Sequence, residues 1–196
     1  MPLPRFFCWT RFGTEAGERI DHILARKEKE RQLNGGVFLW GVGNAVGPSI
    51  RQLIQLQANP EVIFSPIRSA PRKVDVAPDN VVMWTMGETL EGTRYELPAG
   101  SLVTSSYRRR KNHYALVCAS SKTLRIRPEG EIISFSRLRN LLTNKPIGAS
   151  QVTAIVQQAT HSSECIGLDY LAAIRAHLVD PYFIKLFEPV PILSTF

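Results

Sequence analysis

Residues 35–50, GGVFLWGVGNAVGPSI, place an apolar strand, a glycine-rich turn and a helix start in immediate succession. Residues 37–40 are typical of a buried strand, and Pro48 suits the first turn of a helix. The N–H groups at a helix start are electropositive, and glycine lets a ligand approach the backbone closely. The sequence therefore predicts a binding turn for a phosphate, a carboxylate or the edge of a base. The turn glycines are Gly41, Gly43 and Gly47, and the apolar helix positions are Ile50, Leu53 and Ile54.

Two nucleotide-binding motifs fit this turn poorly. Its glycine spacing differs from the GxGxxG fingerprint, and the next predicted strand ends without an acid to hold a ribose. Gly47, Pro48 and Ser49 stand where a P-loop requires Gly-Lys-Ser/Thr, so no lysine reaches a phosphate. No cofactor is expected, and the alternative that the turn is purely structural stays open.

The composition is that of a globular protein with an excess of basic charge. The chain has 196 residues, of which 44% are hydrophobic and 21% charged, so we expect one compact domain with elaborations. Its 24 lysines and arginines exceed its 17 acidic residues, which gives a net charge of +7. An anionic partner, nucleic acid first, is favoured by this charge. The alternative is a basic protein whose charge only keeps it soluble.

Cysteine spacing and hydropathy limit the classes of protein to which the chain can belong. Cys8, Cys118 and Cys165 lie far apart without a CxxC pair, which argues against a disulfide framework or a thiolate zinc site. No apolar run approaches the roughly 20 residues of a membrane span, and the first residues lack the pattern of a signal peptide. We therefore expect a cytoplasmic protein with no membrane partner and no metal.

Aromatic and β-branched runs predict a strand-rich first part. Residues 5–12 are apolar on both faces, which indicates a central strand with Trp9 and Arg11 on one face. Thr14 caps a predicted helix that runs to about residue 33. Its charged run, residues 26–31, is expected to lie in water with pairs such as Arg26–Glu30. Further strands are predicted at residues 61–67, 81–84, 94–97, 102–105, 113–118 and 123–127.

From residue 134 onward, apolar spacing predicts three helices. Such helices would cover an open sheet edge or pack on a partner. We expect a barrel domain over residues 1–130 and a helical extension over residues 131–196, packed together as one compact domain. The apolar positions are Leu138, Leu141 and Leu142 in the first helix, Val152, Ile155 and Val156 in the second, and Leu168, Leu171, Ile174 and Leu178 in the third.

A reader of an unstacked base needs aromatic faces for stacking and polar groups for the base edge. Trp9, Trp40 and Trp84 are the candidates for stacking, and for each the alternative is a core position. Asn44 and the backbone around the turn would contact the base edge. The predicted base-binding residues are Trp9, Trp40, Gly41, Gly43, Asn44, Ser49 and Trp84.

A cationic tip follows Tyr107 between two predicted strands. Four adjacent cations in a loop would track a phosphate backbone well, and the alternative is solubilising charge. The predicted phosphate-binding residues are Arg11, Arg108, Arg109, Arg110 and Lys111.

The candidate catalytic patterns are incomplete. His161 and Cys165 are one helical turn apart, but no pattern nominates a further metal ligand. His113 and Cys118 lie an odd number of residues apart in one strand, which directs them to opposite faces. Ser150 lacks the flanking glycines of a nucleophile elbow and suits a helix cap. A binding protein is therefore favoured over an enzyme.

The order of elements resembles the EVE-type branch of the PUA-like superfamily. The resemblance rests on FFCWTRF with its tryptophan, the early helix, GGVFLWGVG, VIFSPI and HYALVC, and it covers residues 5–127. The family's Gly-Asp entry to its central strand is Gly35-Gly36 here, and the helix after Gly47 is not part of the family pattern. The resemblance implies a small curled barrel that binds nucleic acid, with an aromatic pocket for a flipped or modified base at Trp9, Trp40 and Trp84.

Together these patterns predict an α+β protein, a PUA-like curled β-barrel with flanking helices and a helical C-terminal extension. The predicted function is a nucleic-acid-binding module that reads a modified or flipped base, in DNA or RNA. One alternative is a small enzyme acting on a nucleotide or other anionic metabolite at the turn, with His113, Ser49 and Asn44 as its polar groups. Another is an interaction subunit that binds a partner, or itself, through the C-terminal helices.

Overall fold

A computed structural model describes residues 2–13, 19–67, 81–98, 102–104, 113–161 and 169–191. The chain divides into two compact units, each assembled from three segments. Unit 1 comprises Met1–Phe12, Ala45–Ile67 and Arg125–Leu178, and unit 2 comprises Gly13–Asn44, Arg68–Leu124 and Val179–Phe196.

The elements of the described segments are two α-helices and a succession of strands, numbered in chain order. The helices are α1 (Ile20–Leu33) and α2 (Gly47–Leu56). The strands are β1 (Phe6–Phe12), β2 (Val37–Val42), β3 (Glu61–Pro66), β4 (Val81–Thr89), β5 (Arg94–Glu96), β6 (Leu102–Thr104), β7 (His113–Ala119), β8 (Ile132–Ser134), β9 (Leu138–Asn140), β10 (Thr153–Gln158), β11 (Asp169–Leu171) and β12 (Ile174–Pro191).

In unit 1, β1 is the central strand, as its two apolar faces predict. It pairs parallel with β3 on one side and antiparallel with β10 on the other. The first part of β12 extends the sheet beyond β3, and β9 extends it beyond β10. The predicted helix after the turn is confirmed as α2, which packs on β1 and β10. Its apolar residues Ile50 and Leu53 are fully buried.

In unit 2, β2 pairs antiparallel with β7, and the second part of β12 pairs antiparallel with β4. Strand β4 also pairs with β5 and with β6. A core cluster joins these strands. It consists of Leu39, Trp84, Leu97, Ala115, Val117, Ile184 and Leu186, with Val37, Tyr95 and Val179 packed against it.

The predicted C-terminal helices are wrong. The described residues between 134 and 191 contain no α-helix. Six of the predicted helix positions lie in strands instead: Leu138 in β9, Ile155 and Val156 in β10, Leu171 in β11, and Ile174 and Leu178 in β12. Leu141, Leu142 and Val152 lie between strands, and Leu168 lies outside the described residues. Continuous burial explains the error: Ala154, Ile155 and Val156 follow one another in β10, so they point to alternating faces of the strand, and all three are buried. Short runs of this kind have no period that separates a helix from a strand. The helical surface expected to bind a partner is therefore absent from the described part of the chain.

Two smaller predictions of the fold are also wrong. The described strands form a mixed sheet without closing into a barrel, because the outermost strands β2 and β9 are not paired with each other. Residues 123–127 are irregular instead of a strand. The predicted helix cap Thr14 lies outside the described residues.

The charged run of α1 lies partly in the interior, contrary to the prediction. Lys27 and Glu30 are only 3% and 2% exposed. Glu30 accepts a hydrogen bond from Lys27 Nζ at 2.7 Å through Oε2. Its Oε1 accepts another from the Leu39 backbone N–H at 2.7 Å. This carboxylate therefore joins α1 to β2, and burial lowers the pKa of Lys27.

Candidate nucleic-acid interface

Trp9, one of the three predicted stacking residues, lies in the core of unit 1. Its side chain is fully buried, and Nε1–H donates to Ser65 Oγ at 3.0 Å. Its ring meets Tyr170 edge-on, with centroids 5.1 Å apart, and Phe135 at 5.6 Å. No ring face of Trp9 is open to a base in this arrangement.

Arg11 shares the face of Trp9, as the strand alternation predicts. Its guanidinium carbon lies 5.5 Å from the centre of the Trp9 ring. One terminal nitrogen donates to Tyr170 Oη at 3.1 Å, and the other donates to the carbonyls of Ala149 and Gln151. These bonds hold the guanidinium against its own unit. Tyr170 could not be predicted as a partner of Arg11 because helices were expected in that region.

Trp84 and Trp40 lie in unit 2, but they do not share a cluster. Trp84 packs with Leu39, is 3% exposed, and has its ring centroid 4.8 Å from that of His113. Its buried Nε1–H has no acceptor among the described residues. Trp40 follows Leu39 directly on β2, so its side chain points to the opposite face of that strand. Trp40 is half-buried.

The glycine-rich turn is placed as predicted, between a strand and a helix. Gly41 pairs with Ala115 inside unit 2, and a Cβ added at Gly43 would meet nothing within 4 Å. Asn44 begins a short 3₁₀ turn, and its side chain lies outside the described part of the structure. Ser49 is 3% exposed and belongs to the first turn of α2, in unit 1.

The predicted phosphate contacts at Arg108, Arg109, Arg110 and Lys111 lie outside the described residues. The same holds for Cys165. His113 is buried against Trp84, and no group of three or more metal-ligating side chains occurs in the described segments. No described helix is long and apolar enough to cross a membrane.

The structure adds a pocket that the sequence did not indicate. It has a volume of about 240 Å³ and lies within unit 2, on the strands β5, β4 and β12. Ligand pockets for drug-sized molecules span roughly 300–1,000 Å³, so this one suits a smaller group. Its lining residues are Met86, Gly87, Glu88, Arg94 and Phe187.

Strand register places the pocket side chains on one face of the sheet. Phe187 of β12 lies opposite Met86 of β4, and Met86 lies opposite Glu96 of β5. One step along the strands, Lys185 lies opposite Glu88, and Glu88 lies opposite Arg94. Residues paired in this way project to the same side. The result is an apolar row, Phe187 and Met86, that ends at the charged Glu96, beside a charged row of order cation, carboxylate, cation.

The intervening residues fix which side is outward. Gly87, Leu186 and Tyr95 alternate with the pocket residues, and Leu186 and Tyr95 pack in the core cluster of unit 2. At these positions the pocket therefore lies on the side opposite Leu186 and Tyr95, although Trp84, two residues before Met86 on β4, also belongs to the core cluster. A Cβ at Gly87 would lie 3.3 Å from the Lys185 carbonyl oxygen, so glycine allows the close packing beneath the pocket.

The side chains of the charged row use only part of their capacity for ion pairs and hydrogen bonds. Arg94 is exposed, Glu88 and Lys185 are half-buried, and Lys185 Nζ lies 4.9 Å from the centre of the Phe187 ring. Among the described residues, the Glu88 carboxylate forms no ion pair or side-chain hydrogen bond. A pocket lined by a carboxylate, a guanidinium and an aromatic ring, with Lys185 opposite the carboxylate on the neighbouring strand, can accept a small planar group with both donors and acceptors.

No protein-family model, no curated protein and no solved structure matches this chain.

Proposed function

We propose that this protein binds nucleic acid and holds one unpaired base in the pocket on β5, β4 and β12. The observation that carries the proposal is the pairing of the apolar row, Phe187 and Met86, with the charged row, Lys185, Glu88 and Arg94. Recognition of an unpaired base combines contact with its flat face and hydrogen bonds to its polar edge. The two rows provide both types of contact side by side.

The pocket size supports a single base as the bound group. A volume of about 240 Å³ is below that of sites for drug-sized ligands. A base inside a duplex would have to be unstacked before it reached the pocket, which costs a few kcal/mol. A single strand, DNA or RNA, is therefore the favoured partner, and a flipped base, modified or not, is the form in which a duplex would bind.

The overall charge supports binding of the phosphates that accompany such a base. The net charge is +7, and the cationic tip Arg108, Arg109, Arg110 and Lys111 supplies four adjacent charges. Phosphate contacts of this kind give affinity without sequence preference and weaken steeply with salt. The tip remains the predicted phosphate-binding segment.

Fluorescence anisotropy with labelled single strands of mixed sequence, in DNA and in RNA, tests the proposal. Titrations at about 50 and 200 mM salt should show binding that weakens at the higher concentration. A duplex of the same sequence should bind several-fold more weakly. Absence of binding at low salt would refute the function. Equal affinity for duplex and single strand would leave the phosphates as the target and refute base capture.

A substitution with a matched control tests whether the pocket takes part. Phe187→Leu keeps apolar bulk but removes the ring, and stacking of a base on an aromatic ring contributes about 1–3 kcal/mol. Phe6→Leu is the control because Phe6 is also half-buried under a cation, with Arg5 at 5.1 Å from its ring centre. We expect weaker single-strand binding for Phe187→Leu alone. Equal effects of the two variants would contradict the assignment.

A further inference from the structure

The position of Glu88 restricts which base the pocket accepts. The carboxylate lies at the centre of the charged row, with Lys185 opposite it on β12 and Arg94 opposite it on β5. An ionised carboxylate only accepts hydrogen bonds, and its two oxygens can accept two parallel donors. A base that faces Glu88 must therefore present two adjacent donors.

Among the unmodified bases, guanine meets this requirement at its Watson–Crick edge. Its N1–H and its N2 amino group are neighbouring donors, and O6 is the acceptor beside them. Adenine and cytosine present one amino group next to a ring-nitrogen acceptor, which would face a carboxylate oxygen. Uracil and thymine present one N–H between two carbonyls. We infer that the pocket is selective for guanine, with Glu88 as the residue that determines the specificity; this inference rests on the proposed function.

One neighbouring cation completes the match. Adjacent strands lie about 4.8 Å apart, comparable with the width of the guanine edge, so a cation next to Glu88 can donate to O6. Arginine and lysine are the common donors to guanine oxygen and nitrogen acceptors. Phe187 and Met86, in the next row, lie where the purine face would make apolar contact.

The test uses an oligothymidylate strand with one central position occupied by guanine, hypoxanthine, adenine or cytosine. Anisotropy titrations at low salt should give at least about tenfold tighter binding for guanine than for adenine or cytosine. Hypoxanthine keeps N1–H and O6 but lacks the N2 amino group, so its affinity should lie between those of guanine and adenine.

Two isosteric variants separate recognition from charge. Glu88→Gln replaces one acceptor oxygen by a donor and should reduce the guanine preference to within about twofold. Glu96→Gln makes the same change of net charge on the exposed glutamate opposite Met86 and should keep the preference. Circular dichroism and thermal melting confirm that both variants are folded. The hypoxanthine comparison needs no variant, so it remains informative if Glu88→Gln is unstable.

The outcomes distinguish guanine selectivity from the proposed nucleic-acid binding on which it rests. Salt-dependent binding of single strands with equal affinity for all four bases would overturn guanine selectivity and leave the proposed function standing. Retention of the preference in Glu88→Gln, or its equal loss in Glu96→Gln, would also overturn the inference. Failure of every oligonucleotide to bind at low salt would overturn both.

Discussion

Replacing Glu30 by glutamine removes the charge that faces Lys27 inside unit 2. The two side chains are 1% and 4% exposed, and Lys27 Nζ donates to Glu30 Oε2 at 2.7 Å. Removing one partner of a buried ion pair typically costs about 3–5 kcal/mol. Glutamine keeps a carbonyl oxygen that can accept the Leu39 N–H, so most of the loss should come from the ammonium. We expect the free energy of unfolding to fall by about 3–4 kcal/mol at pH 7.

The pH dependence of this loss has a definite sign. Burial already lowers the pKa of Lys27, and removal of the Glu30 charge, which raises it, lowers the pKa further. The folded variant therefore binds fewer protons than its unfolded chain, and its stability rises with pH. Starting from an ordinary pKa of 10.5, deprotonating a lysine costs about 5 kcal/mol at pH 7 but only about 1.4 kcal/mol at pH 9.5. The difference from the parent protein should shrink by about 1–2 kcal/mol between these pH values.

Urea unfolding in a Trp9→Phe background measures the effect on the correct unit. The remaining tryptophans, Trp40 and Trp84, both belong to unit 2, so fluorescence then follows that unit. The control is Lys27→Met with Glu30→Gln, which removes both charges and should lie within about 1 kcal/mol of the parent. A single-variant loss below about 1 kcal/mol, or a double variant no more stable than Glu30→Gln alone, would refute the reasoning.

Three further predictions concern stability and reactivity. Gly130→Ala should lower the free energy of unfolding by about 1–3 kcal/mol in thermal or urea unfolding, because the new Cβ would lie 2.3 Å from the Ala172 carbonyl oxygen. Gly148→Ala is the control: its Cβ would have no heavy atom within 4 Å, so the protein should be unchanged or slightly more stable. A neighbouring guanidinium lowers the pKa of Glu28 from 4.5 to about 2. Its contribution, about 1–2 kcal/mol after screening, is present above pH 4.5 and lost as the pH falls towards 2, so urea midpoints of Glu28→Gln and the parent should converge in acid. Burial raises the pKa of the Cys8 thiol, so peptide mapping should find it unlabelled by a thiol reagent until the protein unfolds; labelling at the rate of a free thiol would contradict its burial.

The long apolar and aromatic runs were predictable because each had one dominant period or was buried on both faces. β1, β2, β3 and β7 lie where such runs predict strands, and α2 begins where Pro48 and the glycines indicate. The resemblance to the EVE-type branch, the tip and the tryptophan pocket are separate predictions that rest on the sequence. In the structure, Trp9 and Trp84 are core residues of different units.

The shorter apolar runs after residue 134 depended on their partners. In residues 153–158, three consecutive buried side chains carry no period, and only pairing with β1 and β9 makes the segment a strand. Likewise, the charges in residues 26–31 predict a solvated helix face. In the structure, Glu30 is buried because its carboxylate accepts a hydrogen bond from the Leu39 N–H, a contact that the local sequence does not reveal.

The sequence by itself determined the basic charge, the central strands of each unit, and the strand, turn and helix around residues 35–50. The tertiary structure decided which side chains lie together at the pocket. Phe187 and Lys185 meet Met86 and Glu88 through antiparallel pairing of segments about a hundred residues apart along the chain. A shift of that register by one residue would turn every one of these side chains to the other face. Local sequence specifies the alternation along each strand, but only long-range pairing and core packing fix which residues lie opposite one another.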